Sequence, residues 1–91
     1  MHFTWDEDKR LANIQKHGID FVGVEAVFEG YTVTMEDDRI PYGEQRLATL
    51  GLLQGRVVAV VHTEQGNTIR IISVRKASRY EQRIYFAHFA D

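Results

Sequence analysis

The chain has 91 residues, 44% of them hydrophobic and 26% charged, so it is long enough for one hydrophobic core and we expect a single domain over residues 1–91. It contains no cysteine, which excludes disulfide bonds and thiolate metal sites, and no apolar run approaches the ~18 residues of a membrane-spanning helix. The net charge of −2 does not fit a uniformly basic nucleic-acid-binding protein, and the N-terminus lacks the features of a signal peptide, so we expect a cytoplasmic protein.

The first predicted helix follows a short strand at residues 3–5. Asp6 is a suitable N-cap for it, and Gly18 suits the left-handed residue just past its end. Leu11 and Ile14 predict an apolar stripe on this helix. A polar stripe on the same helix would hold Lys9, Asn13, Lys16 and His17.

A second helix is predicted directly after the first. Asp20 is a suitable N-cap, and Gly30 is a suitable end. Phe21, Val24 and Phe28 would face the core from this helix. The two helices together predict a helical hairpin.

From Tyr31 onward the pattern changes to strands separated by turns. Strands are predicted at residues 31–35, 45–53 and 56–63, and a further strand begins at Thr68. Tyr80, Ile84 and Ala87 then recur at helical spacing and predict a C-terminal helix. Because consecutive strands joined by short turns pair antiparallel, we expect an α+β fold. Its twisted antiparallel sheet would have four or five strands, with the helical hairpin on one face and the last helix closing it.

Five cations lie close together near the C-terminus, within fourteen residues that hold one acid, Glu81. The five are Arg70, Arg75, Lys76, Arg79 and Arg83. Residues 1–66 carry 6 cations and 11 acids and residues 67–91 carry 5 cations and 2 acids, so net charges of −5 and +3 sum to −2. Such a cluster is most simply a solvated cationic helix end, but on an acidic body it could also bind RNA or an acidic partner.

The common catalytic and nucleotide-binding motifs are absent: there is no Walker loop, GxGxxG, HExxH or GxSxG. The four histidines do not have the spacing of metal ligands, so we expect neither a metal nor another cofactor. Cleavage of RNA without a metal requires a general base, cations that stabilise the charged phosphorane, and a general acid. Suitable residue types occur at Lys16, His17, Glu44, Arg46, Arg70, Arg75, Glu81 and Tyr85.

Several of these candidates also have a structural explanation. His17 is predicted at a helix C-terminus, where a histidine can simply complement the helix dipole. The pattern Ser78-x-x-Glu81 matches a capping box, which favours Glu81 as a cap or ion-pair partner over a base. Tyr85 could belong to the core, and a histidine such as His62, ending an apolar strand, is more often packed than catalytic.

The strand arginines are better functional candidates than those on the helix. Arg46 and Arg70 lie on predicted strands, where an inward arginine needs a carboxylate or phosphate partner. Arg79 and Arg83 instead fall on a helix surface. Composition and spacing alone therefore predict a small α+β domain with a cationic face, and they leave its target open.

Two blocks of the sequence resemble those of a known family. The first is Phe3-x-Trp5-Asp6-x-x-Lys9 followed by Asn13-x-x-Lys16-His17-Gly18-Ile19-x-Phe21. The second is Glu44-x-Arg46, with Gly51 after it, followed by Arg70-Ile71-Ile72-Ser73-x-Arg75-x-Ala77-x-x-x-Glu81-x-x-x-Tyr85. In order and spacing these blocks resemble the BrnT-type toxins of type II toxin–antitoxin systems, which belong to the wider RelE-like ribonuclease superfamily.

This resemblance implies a RelE-like toxin domain, ribonuclease activity without a metal, and inhibition of translation and growth. It also implies neutralisation by a BrnA-type antitoxin with a ribbon-helix-helix DNA-binding domain. The toxin would then reach operator DNA only through the antitoxin, in a higher-order complex. Carried over by position, the basic and acid–base candidates of the family are Lys16, His17, Glu44, Arg46, Arg70, Arg75 and Tyr85.

A second class of function stays open at this point. RelE-like folds also include gyrase inhibitors, so the fold does not determine the target. The alternative is a non-catalytic binding module that serves as an antitoxin partner and promoter co-repressor, or that inhibits a protein target. RNA cleavage that persists in a chelator would favour the metal-independent enzyme.

Overall fold

The computed structural model describes residues 1–37 and 45–89. Within these ranges the chain forms a five-stranded sheet and three helices, an α+β architecture as predicted. The elements in chain order are β1 (His2–Trp5), α1 (Glu7–His17), α2 (Glu25–Glu29), β2 (Val33–Glu36), β3 (Leu47–Leu53), β4 (Arg56–Gln65), β5 (Thr68–Lys76) and α3 (Arg79–Phe89). The strands are arranged in the order β1-β5-β4-β3-β2. None of the described helices is long and apolar enough to span a membrane.

Four of the five strands pair as predicted, and the fifth does not. The consecutive strands β2, β3, β4 and β5 pair antiparallel. β1 instead pairs parallel with β5, from His2 opposite Thr68 to Trp5 opposite Ile71, so the sheet is mixed. The prediction of an antiparallel sheet rested on short turns. β1 and β5 are separated by most of the chain, and a long connection allows parallel pairing.

The sheet buries apolar side chains on both of its faces. On the face that we call the α2 face, side chains of α2 and of the segment before it pack on the strands. This core consists of Phe21, Val24, Val27, Val58, Val60, Ile69, Ile71 and Val74. On the opposite face, which we call the α3 face, the core consists of Leu50, Val57, Ala59, Ala77 and Tyr85. α2 lies so close to β3 that a Cβ added at Gly51 would lie 2.6 Å from Val27 Cγ1. The absence of a side chain at Gly51 therefore lets the helix approach the sheet.

α1 begins and ends at the predicted residues, but it buries a different side chain. Asp6 caps its N-terminus, with Oδ1 accepting a hydrogen bond of 2.8 Å from the Asp8 N–H. Gly18, at φ +71°, follows its last residue. Leu11, which belongs to the predicted apolar stripe, is 52% exposed. The buried residue of α1 is Asn13.

Asn13 is buried because it bonds to the backbone of β5 beyond the end of β1. Its Nδ2 donates to the carbonyl oxygens of Val74 and Ile19, each at 2.9 Å, and its Oδ1 accepts from the Val74 N–H at 3.1 Å. β1 pairs with β5 only as far as Ile71. The amide of Asn13 therefore takes the place that a neighbouring strand would have at Val74.

The predicted helical hairpin is not confirmed, because α2 is much shorter than expected. The α-helix covers five residues, although the prediction began it at the Asp20 cap. Asp20 Oδ1 accepts a hydrogen bond of 3.0 Å from the Val22 N–H and so caps a turn that precedes the helix. Phe21 and Val24 in this turn are nevertheless fully buried, as predicted, so the apolar pattern identified the core without fixing the helix length.

Candidate functional site

Two arginines of β5 lie on the α3 face. Ile69 and Ile71 are buried on the α2 face, and because side chains alternate along a strand, Arg70 between them points to the α3 face. Arg75 is paired with Ala59, which belongs to the core of the α3 face. Directly opposite residues in paired strands share a face of the sheet. Arg70 and Arg75 are therefore on one surface.

A β-bulge explains how these two arginines come to share that surface. The pairing of β4 with β5 shifts between Val61 and His62, which makes Ile72 an extra residue in β5. In a regular strand, residues five positions apart point to opposite faces. The bulge reverses the alternation and turns Arg70 and Arg75 to the same side.

Arg46 reaches the α3 face from the start of β3. Its carbonyl accepts a hydrogen bond of 2.8 Å from the Asp37 N–H, which extends the pairing of β2 with β3 by one position. Alternation back from Leu50, through Ala48, places Arg46 on the same face as the Leu50 side chain. Arg46, Arg70 and Arg75, all candidates from the sequence, thus lie on one face of the sheet.

The strand register gives the approximate spacing of these arginines. Thr63 of β4 pairs with Arg70, and the pairing of β3 with β4 places Arg46 at the same level on the other side of β4. The two arginines are therefore two strands apart, roughly 10 Å between backbones. Arg75 pairs with Ala59, four residues along β4, which is roughly 13 Å from that level. The three residues form a triangle of positive charge across β3, β4 and β5.

Arg75 is held in place by Glu81 from the first turn of α3. Its Nη1 and Nη2 donate to Glu81 Oε1 and Oε2 at 2.7 and 2.9 Å. The Ser78 N–H donates to Glu81 Oε1 at 2.8 Å and the Glu81 N–H donates to Ser78 Oγ at 3.1 Å, which is the predicted capping box. The Arg75 guanidinium and these hydrogen bonds lower the pKa of Glu81 to about 2. Glu81 is therefore an ionised cap and ion-pair partner.

A cleft of about 320 Å³ opens beside this ion pair on the α3 face. It lies between the end of β2 and the first turn of α3, above β3. Its lining consists of Met35, Glu36, Asp37, Ala48, Arg75, Ser78, Tyr80 and Glu81. Among the described residues, the lining thus includes one arginine, three acidic residues, two apolar side chains and one tyrosine.

Residues 5–81 match the family model described as the ribonuclease toxin BrnT of type II toxin–antitoxin systems. The chain belongs to the BrnT family. The resemblance inferred from the two sequence blocks is thereby confirmed, as is the assignment to ribonuclease toxins that have an antitoxin partner. No curated protein matches the chain. The matched range includes the three arginines and the Arg75–Glu81 ion pair, and it ends before Tyr85.

Tyr85 of this BrnT-family chain lies in the core beneath α3. Only 4% of the residue is exposed, and its hydroxyl donates a hydrogen bond of 3.0 Å to the Tyr31 carbonyl. Its ring also contacts those of Phe86 and Phe89. These contacts agree with the core explanation that the sequence left open, and the hydroxyl already has a partner inside the protein.

Lys16 and His17 lie at the end of α1 and are not joined to the arginines. Among the described residues, neither side chain makes a hydrogen bond or an ion pair. The residues that flank α1, Trp5 and Ile19, pack against the core of the α2 face. The structure therefore places this pair apart from the triangle of arginines, while Glu44 lies outside the described residues.

His62 is packed in the core, and the sequence analysis favoured this explanation over a catalytic role. It is fully buried, its Nε2 lies 2.7 Å from Thr49 Oγ1, and its ring meets that of Phe28 edge-on. Burial lowers the pKa of its imidazole. These contacts explain His62 as part of the core without any role in the site.

The sequence analysis did not predict the roles of two residues: Asn13, which bonds to the backbone of β5, and Tyr80, which lines the cleft. The helical pattern assigns Asn13 to a polar stripe, although its place in the first family block signalled a special role. Tyr80 enters the sequence pattern only as part of a helical repeat. Its position two residues after Ser78, the cap of α3, could have indicated that it lies beside the Arg75–Glu81 pair.

Proposed function

We propose that this BrnT-family chain cleaves RNA on the α3 face of its sheet by acid–base chemistry that needs no metal. The observation that supports this most is the triangle of Arg46, Arg70 and Arg75. Phosphodiester backbones are polyanions, and arginine binds phosphate through several N–H donors in a planar fork. We further propose that the domain over residues 1–91 is RelE-like.

The reaction that suits such a face is attack of an RNA 2′-hydroxyl on the adjacent phosphate. A base takes the proton of the 2′-hydroxyl, the O2′–P bond forms, and the P–O5′ bond breaks while an acid protonates the leaving O5′. The products are a 2′,3′-cyclic phosphate and a 5′-hydroxyl. The phosphorane carries extra negative charge, and fixed guanidinium groups stabilise it more than they stabilise the starting diester.

Arg75 is the best placed of the three to act as a fixed cation. Arginine has five N–H donors, and the bidentate pair with Glu81 uses two of them. The ion pair fixes the guanidinium plane while leaving donors for a phosphate oxygen. Arg70 is exposed and has no hydrogen-bond or ion-pair partner among the described residues. It is therefore accessible to a strand of RNA.

The proton-transfer steps are assigned among the other candidates of the family pattern. Glu81 is unsuitable as a general acid near neutral pH because Arg75 keeps it ionised. The remaining candidates are Lys16, His17, Glu44 and Tyr85. Lys16 and His17 lie apart from the triangle of arginines, so a proton-transfer role for His17 requires that the RNA also reach the end of α1, and His17→Gln tests this.

We also propose a BrnA-type antitoxin with a ribbon-helix-helix domain as the partner in the cytoplasm. The antitoxin would bind operator DNA and carry the toxin with it in a higher-order complex. The negative net charge of the toxin supports the proposal that the antitoxin, and not the toxin, binds the DNA, because a net-acidic protein has weak long-range attraction for DNA.

The test is cleavage of a labelled RNA by the purified toxin, with and without EDTA. The proposal predicts cleavage at equal rates in both, with a cyclic phosphate on the 5′ fragment. Loss of cleavage in EDTA that added Mg²⁺ restores would refute the metal-independent mechanism. Growth arrest by a toxin that cleaves no RNA would instead favour the non-catalytic binding module.

A further inference from the structure

Tyr80 is an exposed aromatic residue at the mouth of the cleft that holds Arg75. It is the second residue of α3, it lines the cleft, and 66% of it is exposed. Met35 and Ala48 supply the apolar part of the cleft wall. The ring therefore borders a space that has both an apolar wall and a guanidinium.

The fold itself does not explain the tyrosine. Two other exposed aromatics do have structural contacts: the Tyr31 ring lies 5.0 Å from that of Phe89, and the Phe86 ring lies 5.3 Å from that of Tyr85. Among the described residues, the Tyr80 side chain has no ring contact and no hydrogen bond, and it belongs to neither core cluster. Its removal should therefore cost little stability.

The first turn of α3 fixes Tyr80 relative to Arg75. The same Glu81 carboxylate that binds the Arg75 guanidinium also closes the capping box with Ser78. Tyr80 lies between these two capping residues in the chain. The Glu81 carboxylate thus bonds both to Arg75 on β5 and to the first turn of α3, which carries Tyr80.

The lining of the cleft suits a planar, uncharged ligand group next to a phosphate. Among the residues that the structure describes, the charged ones that line the cleft are Glu36, Asp37, Arg75 and Glu81, and Arg75 is paired with Glu81. The paired guanidinium keeps N–H donors for one phosphate oxygen, and the apolar side chains of the cleft wall offer no partner for a charged group. A planar, neutral group with an apolar face therefore fits beside Tyr80, with the phosphate that Arg75 binds next to it.

We infer that Tyr80 stacks an unpaired base of the RNA in this cleft, while the adjoining phosphates lie along the arginines of the α3 face. The inference rests on the proposed ribonuclease function and specifies single-stranded RNA as the substrate class. An aromatic ring can stack on any base, and it requires a base that is not already stacked within a duplex. The tyrosine would thus position the chain for cleavage without reacting itself.

The test uses a fluorescently labelled 2′-O-methyl oligoribonucleotide, which lacks the 2′-hydroxyl and is not cleaved. Tyr80→Ala should weaken its binding by about 5- to 100-fold, the usual effect of losing one stacked base. Tyr80→Phe, which keeps the ring, should bind like the parent chain. Phe86→Ala, a control that removes another exposed aromatic from α3, should also bind like the parent chain. A 2-aminopurine base in the oligonucleotide should be quenched by the parent chain and not by Tyr80→Ala.

The possible outcomes separate this inference from the proposed function. If the parent chain cleaves RNA and Tyr80→Ala binds the oligonucleotide as tightly, the inference is overturned and the ribonuclease stands. If the parent chain neither binds nor cleaves any RNA, the proposed function fails, and the inference fails with it. Should Tyr80→Ala not fold, Tyr80→Leu decides, because it keeps an apolar side chain but cannot stack as a ring.

Discussion

The guanidinium of Arg75 and the carboxylate of Glu81 form a two-point ion pair, with distances of 2.7 and 2.9 Å, that joins β5 to the start of α3. The same carboxylate completes the capping box of that helix. One residue pair therefore orients the last helix and also fixes one corner of the triangle of arginines. Stability and activity are expected to be coupled at this point of the fold.

The first prediction concerns the pH dependence of this coupling. The Glu81 pKa is lowered from 4.5 to about 2 in the folded chain, so its ionised form stabilises the fold. That stabilisation is fully present above the unfolded pKa and is lost as pH falls through the folded value. Glu81→Gln should therefore lower the free energy of unfolding at pH 7 by roughly 1–3 kcal/mol, given partial solvation of the pair.

Urea unfolding from pH 7 to pH 2.5 would check this prediction. The difference between Glu81→Gln and the parent chain should shrink as pH falls below 4.5. Glu29→Gln, at an exposed residue of α2, serves as the control and should show little difference at any pH. A difference for Glu81→Gln that stays constant down to pH 2.5 would contradict the ionic explanation.

The second prediction concerns the amide that completes the edge of β5. Asn13→Ala would leave the Val74 N–H and carbonyl without partners in a buried site, and we expect a loss of roughly 2–4 kcal/mol. Asn13→Asp keeps the shape but cannot donate to the carbonyls of Val74 and Ile19, so it should also destabilise the fold. Thermal melting measures both, with Gln15→Ala on the exposed side of α1 as the control. An Asn13→Ala variant as stable as the control would show that water replaces the amide.

Asn13 also shows what the sequence could and could not predict. The caps of α1, the strands β3 to β5 and the capping box of α3 follow from local rules, because neighbouring residues determine them. Asn13 is buried by a contact with Val74, 61 residues away, and helical periodicity contains no information about that contact. The parallel pairing of β1 with β5 was missed for the same reason.

Some features of the site could likewise be predicted from the sequence, and others could not. Residue type and position in the chain are enough to single out Arg46, Arg70 and Arg75 as candidates. Regular alternation alone would have separated Arg70 from Arg75, and the bulge at Ile72 that brings them to one face is seen in the pairing of β5 with β4. The sequence predicted Glu81 as a cap or ion-pair partner because a capping box has a fixed spacing, and only the structure identifies Arg75 as that partner.

The third prediction tests the triangle of arginines against a matched position. Arg70→Gln should lower the rate of RNA cleavage by at least about tenfold with an unchanged melting temperature, because Arg70 is exposed and a fixed cation is lost from the phosphate site. Lys76→Gln is the control: Lys76 lies on the same strand but pairs with Val58 of the α2 face. It should retain cleavage and toxicity. Equal losses in both variants would mean that only the total charge matters.

The fourth prediction concerns the antitoxin. A toxin with a cationic face on an acidic body should bind an acidic, partly disordered antitoxin segment, and the complex should weaken as salt rises. Isothermal titration between 50 and 500 mM NaCl measures this dependence, and labelled oligonucleotide should compete with the antitoxin. Salt-insensitive binding would point to a mostly apolar interface, for example at an exposed sheet edge.

The last prediction separates catalysis from helix capping at His17. A histidine in the last turn of a helix interacts favourably with the helix dipole, so its loss should cost at most about 1–2 kcal/mol. His88 occupies the corresponding last turn of α3 and provides the control for that effect, and its substitution also removes a contact with the Phe89 ring at 5.1 Å. If His17 transfers a proton in the reaction, His17→Gln should lose RNA cleavage while melting within a few degrees of His88→Gln. Retained cleavage with a lowered melting temperature would leave His17 as a cap. The proton-transfer roles would then belong to Lys16, Glu44 or Tyr85.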